Sequence, residues 1–147
     1  MPEAMIVEGL LFNHVITCTG VEGADTADPI VTYEFHIDNL DMLKRGIYVI
    51  EVDDIIAYVG AFYDGIRDVW FEPMRGRLDH PMAVRIARAL SRGMRIHVYA
   101  ATEDEMRQYM KAAAYDSYGW INTYGIEYAL INHLRPGWND LDIIQTE

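Results

Sequence analysis

At residues 46–60 the chain reads GIYVIEVDDIIAYVG, two runs rich in β-branched residues on either side of Asp53-Asp54. β-Branched and aromatic residues favour strands, and a short polar break between two such runs is typical of a hairpin. Both faces of each run are apolar, which is typical of strands that are covered on both sides of a sheet. This stretch therefore predicts a buried β-hairpin.

The positions of Tyr48 and Tyr58 in this hairpin depend on the loop that joins the strands. Directly opposed residues share a face, so a regular two-residue turn would pair Tyr48 with Val59 and place the two rings on opposite faces. An odd-numbered loop or a bulge would bring both rings to one side. We expect an odd-numbered loop.

The segments before the hairpin indicate more strands. Residues 5–18 and 30–37 are rich in Ile, Val, Leu and Phe, and a turn-rich loop separates them, so we expect a first pair of strands here. A short linker or single helical turn follows at residues 39–44.

The segments after the hairpin indicate mostly helices. We expect a short helix at 66–71 and a second helix from Pro81 to about Arg92, which stops at Gly93. A strand is expected at 94–100. The Thr102/Glu105 capping box then predicts a helix to about residue 114, and a last helix is expected at 122–134. The predicted fold is α+β: a small central, mostly antiparallel sheet flanked by helices. Residues 1–43 would form an acidic N-terminal β extension and residues 44–147 the core of one compact domain.

Composition limits the cellular setting. The chain has 147 residues with 51% apolar content, enough for one domain with its own core. No apolar run approaches the ~20 residues that span a bilayer, and the N-terminus does not read as a secretory signal. The one cysteine, Cys18, suits a reducing compartment and a buried apolar role. We therefore expect a cytoplasmic protein without membrane association.

Charge is distributed unevenly along the chain. The net charge is −11, and the first 43 residues contain eight acidic residues and no Lys or Arg. Residues 67–95 contain seven arginines against three acids, a local excess of +4. An acidic body repels nucleic acid, whereas an arginine-rich segment is suited to phosphate contacts.

Glu127 is the most unusual residue of the last predicted helix. Its helical neighbours along one stripe are Leu130, Ile131 and Leu134, and a carboxylate on such a face needs a compensating partner. A divalent cation such as Mg²⁺ is one such partner. A position at the rim of the face, or a pair with a nearby arginine, is the alternative.

Four of the histidines indicate no metal site. His14, His36 and His133 lack ligand spacing, and His97 is expected on a solvent-facing side of its strand.

Two landmarks together resemble the GIY-YIG nucleases, metal-dependent enzymes that cut DNA phosphodiesters. Gly46-Ile47-Tyr48 and Tyr58-Val59-Gly60 resemble the paired tripeptides of that family. The segment 125–139, with Glu127, Leu134-Arg135-Pro136 and Asn139, resembles its second landmark. The resemblance covers about two thirds of the chain, from residue 44 to residue 140.

The resemblance implies a role for each matching residue. Glu127 would hold one Mg²⁺ or Mn²⁺ ion, and Tyr48 and Tyr58 would orient or deprotonate the attacking water. A phosphate-clamping arginine would be Arg67, slightly favoured, or Arg77. The match departs from the family pattern here, because Val69 falls on the usual arginine place and Ala61 and Phe62 replace a lysine that some members carry.

Supporting roles fall to residues outside this centre. His80 would transfer a proton or contact phosphate, although it also reads as a residue at the start of a helix. Asn139 would be a structural or metal-water contact. Arg85, Arg88 and Arg92 share one helix face that would contact the DNA backbone, or that is simply solvated.

The sequence thus predicts a metal-dependent DNA endonuclease, monomeric or homodimeric. Two alternatives remain open. A GIY-YIG-like scaffold without activity could bind a protein partner or mimic DNA through its acidic N-terminal region. An active nuclease could also be restrained by that extension until a partner arrives.

Overall fold

The computed structural model describes residues 4–23, 29–36, 45–63, 65–66, 81–112 and 123–139. In chain order the described elements are β1 (Ala4–Val7), β2 (Leu10–Glu22), β3 (Ile30–Phe35), β4 (Gly46–Val52), β5 (Ile55–Phe62), α1 (Pro81–Ser91), β6 (Ile96–Thr102), α2 (Glu103–Ala112) and α3 (Thr123–Leu134). The fold is α+β, as predicted, and every strand pairing among the described residues is antiparallel.

The six strands form one sheet in the order β1-β2-β6-β4-β5, and β3 also pairs with β2. β4 lies between β5 and β6, and its first six residues are buried. The N-terminal strands therefore continue the same sheet that contains the hairpin, because β2 pairs directly with β6.

The N-terminal region contains three strands rather than the predicted pair. Glu8 and Gly9 have φ angles of 50° and 81° and form a tight turn that divides the first apolar run into β1 and β2. Left-handed φ values at both central residues are typical of the two-residue hairpin turn. The sequence prediction treated this run as one strand because its apolar character continues across the turn.

The loop between β4 and β5 has two residues, so the odd-numbered loop was a wrong prediction. Asp53 and Asp54 have φ angles of 48° and 70°, and Val52 pairs with Ile55. Beyond the turn, Glu51 pairs with Ile56 but Ile50 pairs with Tyr58, which leaves Ala57 as the extra residue of a β-bulge. The bulge was the second way to place both tyrosines on one face.

Local signals at the start and end of α1 and at the start of α2 agree with the sequence prediction, whereas the predicted short helix at 66–71 lies, from residue 67 on, outside the described residues. α1 begins at Pro81 and ends at Ser91, and Gly93 follows with a φ of 80°, a left-handed value that suits glycine at a helix end. At the start of α2, Glu105 N donates to Thr102 Oγ1 at 3.1 Å and Thr102 N donates to Glu105 Oε1 at 3.0 Å. This is the reciprocal capping box that the two residue types predict.

The core has one apolar cluster on each face of the sheet. Tyr48 and Ile50 pack on the α1 side with Ile86. Ile47 and Val49 point to the other side, where Leu130 of α3 packs. This alternation is the period of two that a strand imposes. Among the described helices, none is long and apolar enough to cross a membrane.

Candidate active site

The bulge at Ala57 brings the two motif tyrosines together. Tyr58 lies opposite Ile50 and Tyr48 lies two residues before Ile50, so both side chains leave the same face of the hairpin. Their ring centroids are 6.0 Å apart, with ring planes tilted by 38°. Tyr48 is buried, with 6% of its surface exposed, whereas Tyr58 is half-buried.

Gly60 makes room for the ring of Tyr48. The two residues face each other across β4 and β5, and a Cβ atom at residue 60 would lie 2.5 Å from Tyr48 Cζ and 2.6 Å from its hydroxyl oxygen. The phenol therefore extends across β5, the outer strand on this side of the described sheet. Gly46 is equally constrained, because a Cβ atom there would collide with the carbonyl oxygen of Ala101. At both glycines of the two tripeptides, the close neighbouring atoms therefore leave no room for a side chain.

Tyr48 is held in its protonated form. Burial, first of all, raises the pKa of its phenol well above the ordinary value, and the charges of Tyr58 and Glu127 and a hydrogen bond with Tyr58 act in the same direction. Each of these effects favours the protonated phenol. Tyr48 therefore supports Tyr58 through their hydrogen bond and does not act as a base in this environment.

Glu127 lies on α3, whose Leu130 packs on the opposite face of the sheet from the two tyrosines. Its negative charge contributes to the raised pKa of Tyr48, so its carboxylate lies within electrostatic reach of that phenol. The side chain is half-buried on a helix face where Leu130 is buried, and burial raises the pKa of the Glu127 carboxyl. The position of this carboxylate on an apolar helix face agrees with the prediction from the sequence.

Asn139 holds the outer strand in position. Its Oδ1 accepts from Val59 N at 2.9 Å and its Nδ2 donates to Val59 O at 3.0 Å, so the side-chain amide takes the place of a neighbouring strand. One residue earlier, Trp138 N donates to the carbonyl oxygen of Ala57 at 2.9 Å. The turn after α3 thus forms hydrogen bonds with β5 on both sides of Tyr58. Asn139 is 4% exposed, and its amide acts on the backbone.

The three arginines of α1 separate into two kinds. Arg85 is half-buried and its Nη1 donates to the carbonyl oxygen of Trp138, which connects α1 to the same turn. Arg88 and Arg92 are exposed. Arg85 thus has a structural contact, and the exposure of Arg88 and Arg92 agrees with both alternatives for this face, a solvated surface and a contact with the DNA backbone. Three further predicted site residues, Arg67, Arg77 and His80, lie outside the described residues.

The donor chemistry of this group suits a hard divalent cation. It combines one carboxylate with phenol oxygens, and Mg²⁺ is commonly held by one or two carboxylates with water completing its shell. Within the described ranges no group of three His, Cys, Asp or Glu side chains could hold a metal ion as it stands. Glu127 would therefore hold a largely hydrated ion through its single carboxylate.

A histidine cluster that the sequence did not reveal lies on the face of the sheet opposite to Tyr48 and Tyr58. Thr17 Oγ1 lies 2.7 Å from His36 Nε2, 3.2 Å from His14 Nε2 and 3.3 Å from His97 Nδ1. His97 is 8% exposed, so the expectation of a solvent-facing side was wrong. Burial and the neighbouring histidines lower the pKa of His14 to about 4. No linear spacing could reveal the cluster, because β2, the end of β3 and β6 each supply one histidine.

Other expectations for single residues can be compared with the structure directly. Cys18 is buried, and burial raises the pKa of its thiol to about 12, as expected of an apolar core residue.

Comparison with protein-family models, with curated proteins and with solved structures found no match to this chain.

Proposed function

We propose that this protein is a metal-dependent DNA endonuclease of the GIY-YIG type that hydrolyses phosphodiester bonds. One observation carries the proposal: the bulge at Ala57 turns Tyr58 onto the face of Tyr48, and the charge of Glu127, from the helix that packs on the other face, reaches the Tyr48 phenol. Two phenols and a carboxylate in a partly buried group are uncommon as packing alone, because the carboxylate loses hydration without a compensating charge.

Each residue of the candidate site would have a separate role in the hydrolysis of the phosphodiester. Glu127 would hold Mg²⁺ or Mn²⁺, which supplies Lewis-acid stabilisation of the charge that develops on the phosphate. Tyr58, the more exposed phenol, positions the attacking water. Tyr48 keeps its proton and orients the Tyr58 hydroxyl through their hydrogen bond. An arginine, Arg67 or Arg77, would neutralise charge on the phosphate.

The substitution Glu127→Gln tests the proposal. It keeps the shape of the side chain and removes the charge, so metal-dependent nicking of supercoiled plasmid should fall by about 10²–10³-fold, the usual effect of losing one stabiliser of a transition state. Folding should be retained, because burial already disfavours the charged form of this residue. The exposed residue Asn132 on the same helix supplies the control Asn132→Ala, which should leave cleavage unchanged. Equal cleavage by wild type and Glu127→Gln would refute the assignment.

A protein-binding scaffold without nuclease activity is the second candidate function. The net charge of −11 favours it, and the three described acidic residues of the N-terminal strands and their turns, Glu8, Glu22 and Glu34, are all exposed. Such a module would bind a basic, DNA-binding protein through these carboxylates. It would show salt-sensitive association with that partner and no Mg²⁺-dependent cleavage, whereas the nuclease would cleave in the absence of any partner.

A further inference from the structure

Three histidines from separate parts of the chain surround one hydroxyl group. His14 lies on β2, His36 follows β3, and His97 lies on β6 directly opposite Thr17. His14 stacks on His36 at a centroid distance of 4.5 Å and meets His97 edge-on at 5.2 Å. The backbone also ties His36 into place, because its N–H donates to the carbonyl oxygen of Val15 at 2.8 Å.

The cluster lies on the face of the sheet opposite to the two motif tyrosines. Ile96 and Val98 point toward α1, so His97 between them points the other way. The cluster is therefore separate from the candidate active site, and the proposed nuclease reaction does not use it. His36 is exposed and His14 and Thr17 are half-buried, which leaves a path from solvent.

We propose that His14, His36 and His97 bind a divalent transition-metal ion, with Zn²⁺ as the natural candidate, at the position that the Thr17 hydroxyl occupies in this structure. Three imidazoles with a fourth position left for water form a recurrent zinc arrangement. The nitrogens lie 2.7, 3.2 and 3.3 Å from Thr17 Oγ1. Zinc–nitrogen bonds are about 2.0–2.1 Å long, so each ring must move inward by roughly 1 Å. The stacked rings of His14 and His36 must also tilt apart, because the lone pair of an imidazole nitrogen lies in the plane of its ring.

Rotation of Thr17 about χ1 removes the hydroxyl from the centre of the cluster. Threonine has more than one favourable χ1 rotamer, so this rotation is a small rearrangement. Rotation alone is not sufficient, because no group of three His, Cys, Asp or Glu side chains in the described part of the chain could hold a metal ion without moving. His14 must in addition exchange its contact with the carbonyl oxygen of Ile16, 3.1 Å away, for the cation.

Two carboxylates lie on the same face and would attract a cation, against the positive charge of Arg95, which also reaches His97. Glu51 pairs with His97 across β4 and β6, and Glu34 pairs with Thr17 across β2 and β3. Residues that are paired directly across strands share a face and have Cβ atoms about 5 Å apart. Imidazole nitrogens select zinc, copper or nickel rather than Mg²⁺, so this site differs in metal preference from the site assigned to Glu127.

Titration of the full, metal-free chain with Co²⁺, followed by displacement with Zn²⁺, tests the proposal. We expect one ion per chain, with the visible absorption of imidazole-ligated Co²⁺, and loss of that signal as Zn²⁺ is added. His14→Gln and His97→Gln should each weaken binding by about tenfold or more. Thr17→Ala should bind at least as tightly as wild type, because the competing hydroxyl is gone.

Two matched variants and one direct measurement complete the test. His133→Gln removes an exposed histidine that pairs with Glu8, and Glu127→Gln removes the proposed magnesium ligand; both should bind Zn²⁺ like wild type. Imidazole ¹⁵N spectra of the wild type should show zinc-dependent shifts at residues 14, 36 and 97, which covers the case that a variant does not fold. Absence of stoichiometric binding, or shifts confined to other histidines, would overturn the proposal.

Discussion

At the scale of single residues, Gly60 shows how one missing Cβ atom shapes the candidate site. The Tyr48 ring lies across the backbone of residue 60, and the space it occupies is the space that a side chain there would need. The same contact keeps the phenol buried, which raises its pKa. The position of the hydroxyl and its protonation state therefore depend on the same glycine.

Gly60→Ala should destabilise the protein by about 1–3 kcal/mol, because the new methyl group forces the buried ring from its place. Gly137→Ala is the matched control, since nothing lies within 4 Å of a Cβ atom at residue 137. It should change stability by no more than about 0.5 kcal/mol. Urea denaturation of the two variants beside wild type measures the difference. Similar midpoints for both alanine variants would contradict the described packing of Tyr48.

At the scale of elements, the turn after α3 supplies the hydrogen-bond partners that hold the outer strand of the hairpin in position. β5 is the outer strand on its side of the described sheet, and an outer strand leaves backbone groups without a ladder partner. Asn139 and Trp138 supply partners to Val59 and Ala57, the two neighbours of Tyr58. The bulge that orients Tyr58 is thus held by a segment about 80 residues further along the chain.

Asn139→Ala should cost about 1–3 kcal/mol, because it leaves the buried N–H and C=O groups of Val59 without their partners. If the proposed function holds, nicking should fall as well, since Tyr58 loses the support on one side. Asn132→Ala, on an exposed face of α3, should be nearly neutral for both quantities. Thermal unfolding and plasmid nicking of the two variants measure the effects. Loss of activity in Asn139→Ala with unchanged stability would contradict a role through the backbone of β5.

Local signals predicted those elements whose causes lie within a few residues. Pro81 and Gly93 delimit α1, and the Thr102/Glu105 pair starts α2. The bulge at Ala57 could not be read from the sequence, because its carbonyl is satisfied by the distant residue Trp138. The histidine cluster has the same origin, since strand pairing rather than spacing brings its members together. For the candidate site, the residue types were predictable but the geometry that joins them was not.

At the scale of the whole molecule, acid should weaken the protein through His14. Its folded-state pKa of about 4 lies below the ordinary value of 6.5, so between these values the unfolded chain binds more protons than the folded chain. The contribution of His14 to the free energy of unfolding is therefore complete above pH 6.5, falls as the pH drops, and stops changing below about pH 4. Glu51 and Glu127 act in the opposite direction, because burial raises their carboxyl pKa values and acid then favours the folded state.

Comparison of wild type with His14→Gln isolates the histidine from these carboxyls. The free energy of unfolding of the variant, relative to wild type, should rise steadily as the pH falls from 6.5 toward 4. Urea denaturation at several pH values measures it, with His133→Gln as the control because that side chain is exposed. A difference between wild type and His14→Gln that does not vary with pH would contradict the described environment of the cluster.

If the proposed function holds, the charge distribution over the molecule should make DNA binding strongly dependent on salt. The body of the protein repels phosphate at a net charge of −11, so binding would rest on local cations such as Arg88 and Arg92, which are exposed on α1. Each phosphate contact contributes about −0.9 to the slope of log K against log salt concentration. If both arginines contact phosphate, the double variant Arg88→Gln/Arg92→Gln should reduce the magnitude of the slope by about 2 and weaken binding equally for all sequences.

Arg107→Gln is the control for this measurement, because Arg107 is already paired with Glu103 and Asp104. It should leave the slope unchanged. Fluorescence anisotropy with a labelled duplex, measured across a salt series in the presence of Ca²⁺ to prevent cleavage, gives the slopes. A double variant with the slope of wild type would show that the exposed face of α1 is a solvated surface, and the search for the DNA-binding surface would move to the arginines at positions 67, 75 and 77.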